Sequence, residues 1–170
     1  MAGGKVAILH FKLANSCIER VNGFSDAIDT HNAKKKTGKI QIVAELPGGA
    51  AKDESYHATR DALQAYPDLA GIFAINDPSA LGAVAAIEEV NKADQVKIIG
   101  FDGSLNGRQA IKEGRIIAAP IHFPERMGVQ TMKTMIKYLK GKKVTSEQLI
   151  PMELYRRVDA QKDPSLEALE

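Results

Sequence analysis

The stretch Leu69–Glu89, LAGIFAINDPSALGAVAAIEE, decides how the chain folds. Its first seven residues, Leu69–Ile75, form an apolar run with no polar alternation, the mark of a strand buried on both faces. Asn76-Asp77-Pro78-Ser79 ends the run at once. Pro78 suits the first turn of a helix, where its missing N–H would be unpaired anyway. Leu81, Val84, Ala85 and Ile87 then recur at helical spacing. The joint raises a chemical question. Asn76 and Asp77 either cap the helix or face a ligand, and spacing alone leaves both readings open.

The same alternation extends in both directions. Lys5–Phe11 and Lys39–Ala44 read as strands, each followed by a helical pattern. The first helix carries Ile18, Val21, Phe24 and Ala27; the second runs from about Ala51 to Tyr66, where Pro67 ends it. Val96–Phe101 is a fourth strand, ending in Asp102-Gly103-Ser104. A short helix near 106–113 follows, then a fifth strand, Ile116–His122. Pro124 opens a helix reaching Lys140, and Leu149–Leu154 forms a last short strand. Strands and helices therefore alternate throughout, and the strands are continuous apolar runs. The expected fold is α/β: a doubly wound parallel sheet with helices on both faces, a flavodoxin-like single lobe. The polar end, residues 159–170, is expected to be a tail outside the fold, of expression origin.

Composition narrows the function. A formal charge of +2 gives no electrostatic footprint for nucleic acid, and Lys34-Lys35-Lys36 reads as a solvated turn. The single cysteine, Cys17, excludes an internal disulfide and reads as a small core residue. No apolar stretch reaches membrane-spanning length, and Met1–Lys5 lacks the apolar segment of a signal peptide, so neither membrane insertion nor an export signal is expected. No Gly-x-Ser-x-Gly, P-loop or paired-cysteine motif is present, so the chain is not expected to be an enzyme, and no cofactor is expected. His10 and His122 end different strands and could meet, but no His pair has metal-ligand spacing, and no metal site is expected.

In an open parallel sheet, ligands bind at the carboxyl ends of the strands. Those ends carry His10, Asn76-Asp77, Asp102-Gly103 and His122, with Arg20 in the first helix. Such groups suit a polyhydroxyl ligand, because planar amides, carboxylates and guanidinium groups make paired hydrogen bonds in a fixed plane. Asp102-Gly103 is also a common turn sequence.

At this point the sequence resembles a known family. "YPDLAGIFAINDPSALGA" and "IIGFDG" look like the second lobe of the ribose-binding proteins of sugar ABC importers, of the type-I periplasmic binding fold. The resemblance covers about Gly4–Val158 and implies a lobe spanning residues 1–158. It implies a small sugar as ligand, a periplasmic location for the parent protein, and an ABC permease as partner of the full-length form. In such proteins two lobes close over the sugar. The resemblance implies that Arg20, Asn76 and Asp102 bind the sugar, while Asp77 keeps the capping role. His122 falls where a binding glutamine is common, and Ala50 where an aromatic residue covers the sugar ring. The N-terminal first lobe is missing from this sequence, so the chain is expected to be a fragment or an engineered piece. The helix 124–140, which in the family packs on the first lobe, must then complete the lobe, exchange with a second copy in a swapped homodimer, or stay loosely packed. Two alternatives remain: the effector-binding part of a lactose-repressor-type regulator, and a redesigned α/β scaffold with a new site.

Overall fold

The computed structural model describes residues 3–169. Six strands form one sheet: β1 (Gly4–His10), β2 (Ile40–Pro47), β3 (Leu69–Ala74), β4 (Lys97–Ile99), β5 (Ala118–Ile121) and β6 (Glu153–Arg156), in the order β2-β1-β3-β4-β5-β6. β1 to β5 pair in parallel, as the apolar runs predict. β6 departs from this and runs antiparallel to β5. The helix before it does not cross back over the sheet, so the chain enters that edge from the opposite end.

The helices are α1 (Asn15–Ala33), α2 (Lys52–Ala65), α3 (Asp77–Glu89), α4 (Leu105–Glu113), α5 (Pro124–Leu139) and α6 (Arg157–Ala160). Strand alternation sends side chains to two cores. Ala7, Leu9, Ile72, Ile98, Ala119 and Ile121 face one core, which Ala62, Val84, Ile87 and Ile111 of α2, α3 and α4 fill. Ile8, Phe73, Ile75 and Phe101 face the other, against Cys17 and Val21 of α1. Phe24 of α1 stacks on Phe73 with ring centroids 4.4 Å apart.

The second face is only partly covered. None of the residues of α5 is buried, and Met127, Val129, Met132, Met135 and Ile136 are all exposed. On the α1 side of the sheet, Ile99 and Leu154 are exposed as well. The helix that would cover them in a complete doubly wound lobe stands away from the sheet.

The end of the chain corrects the expectation of a tail outside the fold. A 3-10 turn, Pro164–Leu169, follows α6, and Ala160 and Leu166 are buried in the larger core. The polar appearance of 159–170 hid two apolar anchors six residues apart. A polar clamp fastens the segment: the Tyr155 hydroxyl donates to Asp163 Oδ2 at 2.6 Å, Arg108 Nη1 donates to the same oxygen at 3.2 Å, and the Ser165 hydroxyl donates to Oδ1. Burial pushes the Asp163 carboxyl up, but the hydrogen bonds from Ser165, Tyr155 and Arg108 outweigh it and hold the group at about 2.

Leu166→Ala is expected to lower the unfolding free energy by about 2–4 kcal/mol, the range for emptying a fully buried leucine site; urea denaturation measures it. A carboxyl held below its ordinary value of 3.8 stabilises the fold above that pH, and the contribution is lost as pH falls towards 2. Asp163→Asn should therefore cost on the order of 1–2 kcal/mol at pH 7. The gap to the parent should close as denaturation curves are taken from about pH 4 downwards, and a gap constant with pH would contradict the clamp's electrostatic origin.

Candidate functional site

The strand order places a switch point between β1 and β3, because the chain leaves β1 for β2 on one side and reaches β3 on the other. Crevices open at such points beyond the carboxyl ends of the strands. Arg20 reaches this crevice from α1. Its Nη1 donates to Ile75 O at 2.7 Å and to Asp102 Oδ1 at 2.9 Å. The guanidinium lies over the Phe101 ring, 3.9 Å from its centroid. One cation thus ties α1, the end of β3 and the turn after β4. The donors on Nε and Nη2 take part in neither bond, and Asp102 Oδ2 takes no part in the ion pair.

His122 Nδ1 lies 3.6 Å from the same Asp102 Oδ1, beyond hydrogen-bond length. Arg20 of α1 therefore meets Asp102 and His122, which lie at the ends of neighbouring strands. His122 and Arg20 also line a cavity of about 860 Å³ whose floor is Phe73, Phe101 and Pro120 and whose outer wall includes Leu149 and Met152. This cavity occupies the uncovered part of the α1 face.

The cap expected at Asp77 falls on Asn76 instead. Asn76 is the N-cap of α3: it has extended backbone geometry, and its Oδ1 accepts the Ser79 N–H at 2.9 Å. Its Nδ2 donates to Ala50 O at 3.0 Å. Each end of the amide keeps one further bonding position. Asp77, expected as the cap, is the first residue of α3 and is 1% exposed. Its Oδ2 accepts the Ser104 N–H at 2.5 Å, while Oδ1 is buried without a partner among the described residues. Burial pushes the Asp77 carboxyl up, against the hydrogen bonds from Ser104 that pull it down.

Ala50 adopts a φ of 57°, in the left-handed region, and only its carbonyl is engaged by Asn76. His10 is buried at the end of β1, and its Nδ1 accepts the Phe11 N–H at 2.8 Å. Burial holds its imidazole below the usual range. Among the described residues no group of three or more His, Cys, Asp or Glu side chains could hold a metal ion. Phe101 is the site residue that sequence reasoning missed. Its position immediately before Asp102, on the face that α1 covers, was the available signal.

A family model described as a periplasmic binding protein domain matches residues 1–143. The chain belongs to that family. The ribose import binding protein of Haemophilus influenzae is 38% identical to this chain over 136 residues, which is 80% of this chain and 43% of that protein. The ribose import binding protein of Salmonella typhimurium is 32% identical over the same coverage. The chain thus spans less than half the length of the curated relatives it matches. Its fold matches the ABC transporter periplasmic solute binding protein of Actinobacillus succinogenes with bound D-allose, with a TM-score of 0.86 at 23% identity, covering 95% of this chain and 55% of that one. A Bacillus halodurans solute binding protein with bound myo-inositol matches with a TM-score of 0.82, covering 95% and 54%. At such identities these two show the fold alone. Among the described residues, no helix is long and apolar enough to cross a membrane.

Asn76→Ala is expected to cost about 1 kcal/mol of stability through the lost cap, measurable by urea denaturation. Arg20→Met should cost about 1–3 kcal/mol, since it removes a charged donor shared by a carbonyl and a carboxylate. A loss below the cap's value at Arg20 would contradict its bridging role.

Proposed function

We propose that this chain is a sugar-binding lobe of an ABC-importer substrate-binding protein, with a small ribose-like sugar as ligand. The observation that carries the reading is the convergence of Arg20, Asp102 and His122 on one rim, with Asn76 at the adjoining switch point. Among the described residues, unengaged donors on Arg20, an unengaged Asp102 oxygen and the spare bonding positions of Asn76 match the alternating donors and acceptors of vicinal hydroxyls. The relatives' names, ribose import binding proteins, support the same ligand class.

The function is binding, not catalysis. The sugar lies between this rim and a first lobe, and closure of the two lobes around it is the signal read by the ABC permease. The place of action is the periplasm. The exposed apolar side of α5 is the surface offered to the first lobe. A lone lobe desolvates only one side of a ligand, so its affinity is weak until the partner lobe closes the site.

Isothermal titration of ribose into this chain, alone and mixed with a separately made first lobe, tests the proposal. The expected result is heat only in the mixture, reduced at least tenfold in affinity by Asp102→Ala. An absence of heat in the mixture for both ribose and allose would overturn it.

A further inference from the structure

Asp77 has no counterpart among the candidate ligand contacts, yet it is the most deeply buried acid of the rim. Its surroundings are built for a carboxylate. A Cβ on Gly107 would lie 2.4 Å from the Asp77 carboxyl carbon and 2.4–2.5 Å from both its oxygens, and one on Gly100 would lie 3.5 Å from Oδ1. The backbone of two segments has closed around the group. A carboxylate that merely favoured the N-terminus of α3 would do so from the surface, without the desolvation cost of burial.

The partner of Asp77 explains the burial. Ser104 is the N-cap of α4, its hydroxyl accepting the Gly107 N–H, and it ends the turn that carries Asp102. That turn is strained. Asp102 has a φ of 101° and Gly103 a φ of 81°, and a left-handed conformation at a non-glycine residue persists only when its surroundings hold it. The strain has a consequence for the rim. In a regular strand, residues 101 and 102 would point to opposite faces. The kink breaks the alternation, so that the Phe101 ring and the Asp102 carboxylate both meet Arg20.

Besides the bond from Arg20 on the α1 side, hydrogen bonds on three sides hold the turn. On the β5 side, Asp102 N donates to Pro120 O at 3.0 Å and His122 N donates to Asp102 O at 3.4 Å. On the α4 side, Arg108 Nε donates to Gly103 O at 2.7 Å. On the α3 side, the only attachment among the described hydrogen bonds is Asp77 to Ser104.

We propose that Asp77 is a positioning residue for Asp102: its buried carboxylate clamps the 102–104 turn against α3 and keeps Asp102 in the kinked conformation that aims it at Arg20. Its value for ligand binding rests on the sugar-binding reading of the rim. The N-terminus of α3 then sets two candidate ligand contacts at once, Asn76 directly and Asp102 through Asp77.

The test compares Asp77→Ala, which removes the acceptor, with Asp77→Asn, which keeps one. Amide resonances of Asp102 and Gly103 and the Arg20 Nε–H report the turn, and urea denaturation reports stability. Ribose titration with the first lobe reports the site. Asp77→Ala should shift all three resonances and weaken ribose binding about tenfold or more, and Asp77→Asn should restore most of both. A folded Asp77→Ala protein with these resonances unchanged would overturn the proposal. If Asp77→Ala does not fold, Ser104 carries the test. The φ of −61° at Ser104 suits proline, so Ser104→Pro deletes the N–H that Asp77 accepts, while Ser104→Ala keeps it, and both lose the capping hydroxyl. The Asp102 and Arg20 resonances must move further in Ser104→Pro than in Ser104→Ala, which removes only what the hydroxyl contributes; equal shifts in both would overturn the proposal. If the parent mixture binds neither ribose nor allose, the sugar reading fails, and the resonance shifts still decide the clamp.

Discussion

Parallel strands bury both faces, and this constraint organises the molecule. α2, α3 and α4 cover one face without a gap, and the larger core lies there. α1 alone covers the other, over β1 and β3, through Val21, Cys17 and the Phe24–Phe73 stack. Beyond α1 the sheet lies open, leaving Leu154 exposed and Ile99 at the wall of a cavity of about 860 Å³. The fold therefore has a closed side that stabilises it and an open side that leaves apolar residues exposed. The candidate rim sits at the boundary between the two, where α1 ends its cover and Arg20 crosses to the strand ends.

Arg20 can work there because its environment is half apolar and half polar. The Phe101 ring lies beneath the guanidinium and limits its hydration. The Ile75 carbonyl and the Asp102 carboxylate then fix its plane through one nitrogen. Fixing one edge of a guanidinium orients the others, since the group is rigid and planar. A ligand meeting the remaining donors finds them already aimed, and little side-chain entropy is left to lose on binding.

Much of this was legible in the sequence. The apolar runs gave the strands, their order with the helices gave a doubly wound sheet, and the strand ends at Asp102 and His122 marked the rim that Arg20 reaches from α1. What was not legible has physical causes. Helix periodicity in Met127, Met132 and Ile136 says that a face wants cover, but not which surface supplies it, so α5 could be drawn but not placed. The segment 159–170 looked dispensable because two buried residues, Ala160 and Leu166, carry no periodicity of their own. The antiparallel course of β6 depends on where α5 lies, and so inherited the same blindness. Phe101 was hidden because its importance comes from Arg20, far away in sequence.

At the Asn76-Asp77-Pro78 joint the cap falls on Asn76 and not on Asp77, for a physical reason. Propensity ranks asparagine and aspartate alike as caps, so the residue types cannot separate them. The geometry of the strand exit does. A residue with extended backbone angles before the first helical turn points its side chain back along the helix end, and Asn76 holds that position. The next residue already has helical geometry and turns its side chain inward, towards the neighbouring strand's loop. At that place an amide cap would have nothing to cap, whereas a carboxylate meets the Ser104 N–H. Proline in the following position removes an N–H that would otherwise compete for the same oxygens. The three residues are thus ordered by the path of the backbone: one caps the helix, one faces the turn, and one leaves both free to do so.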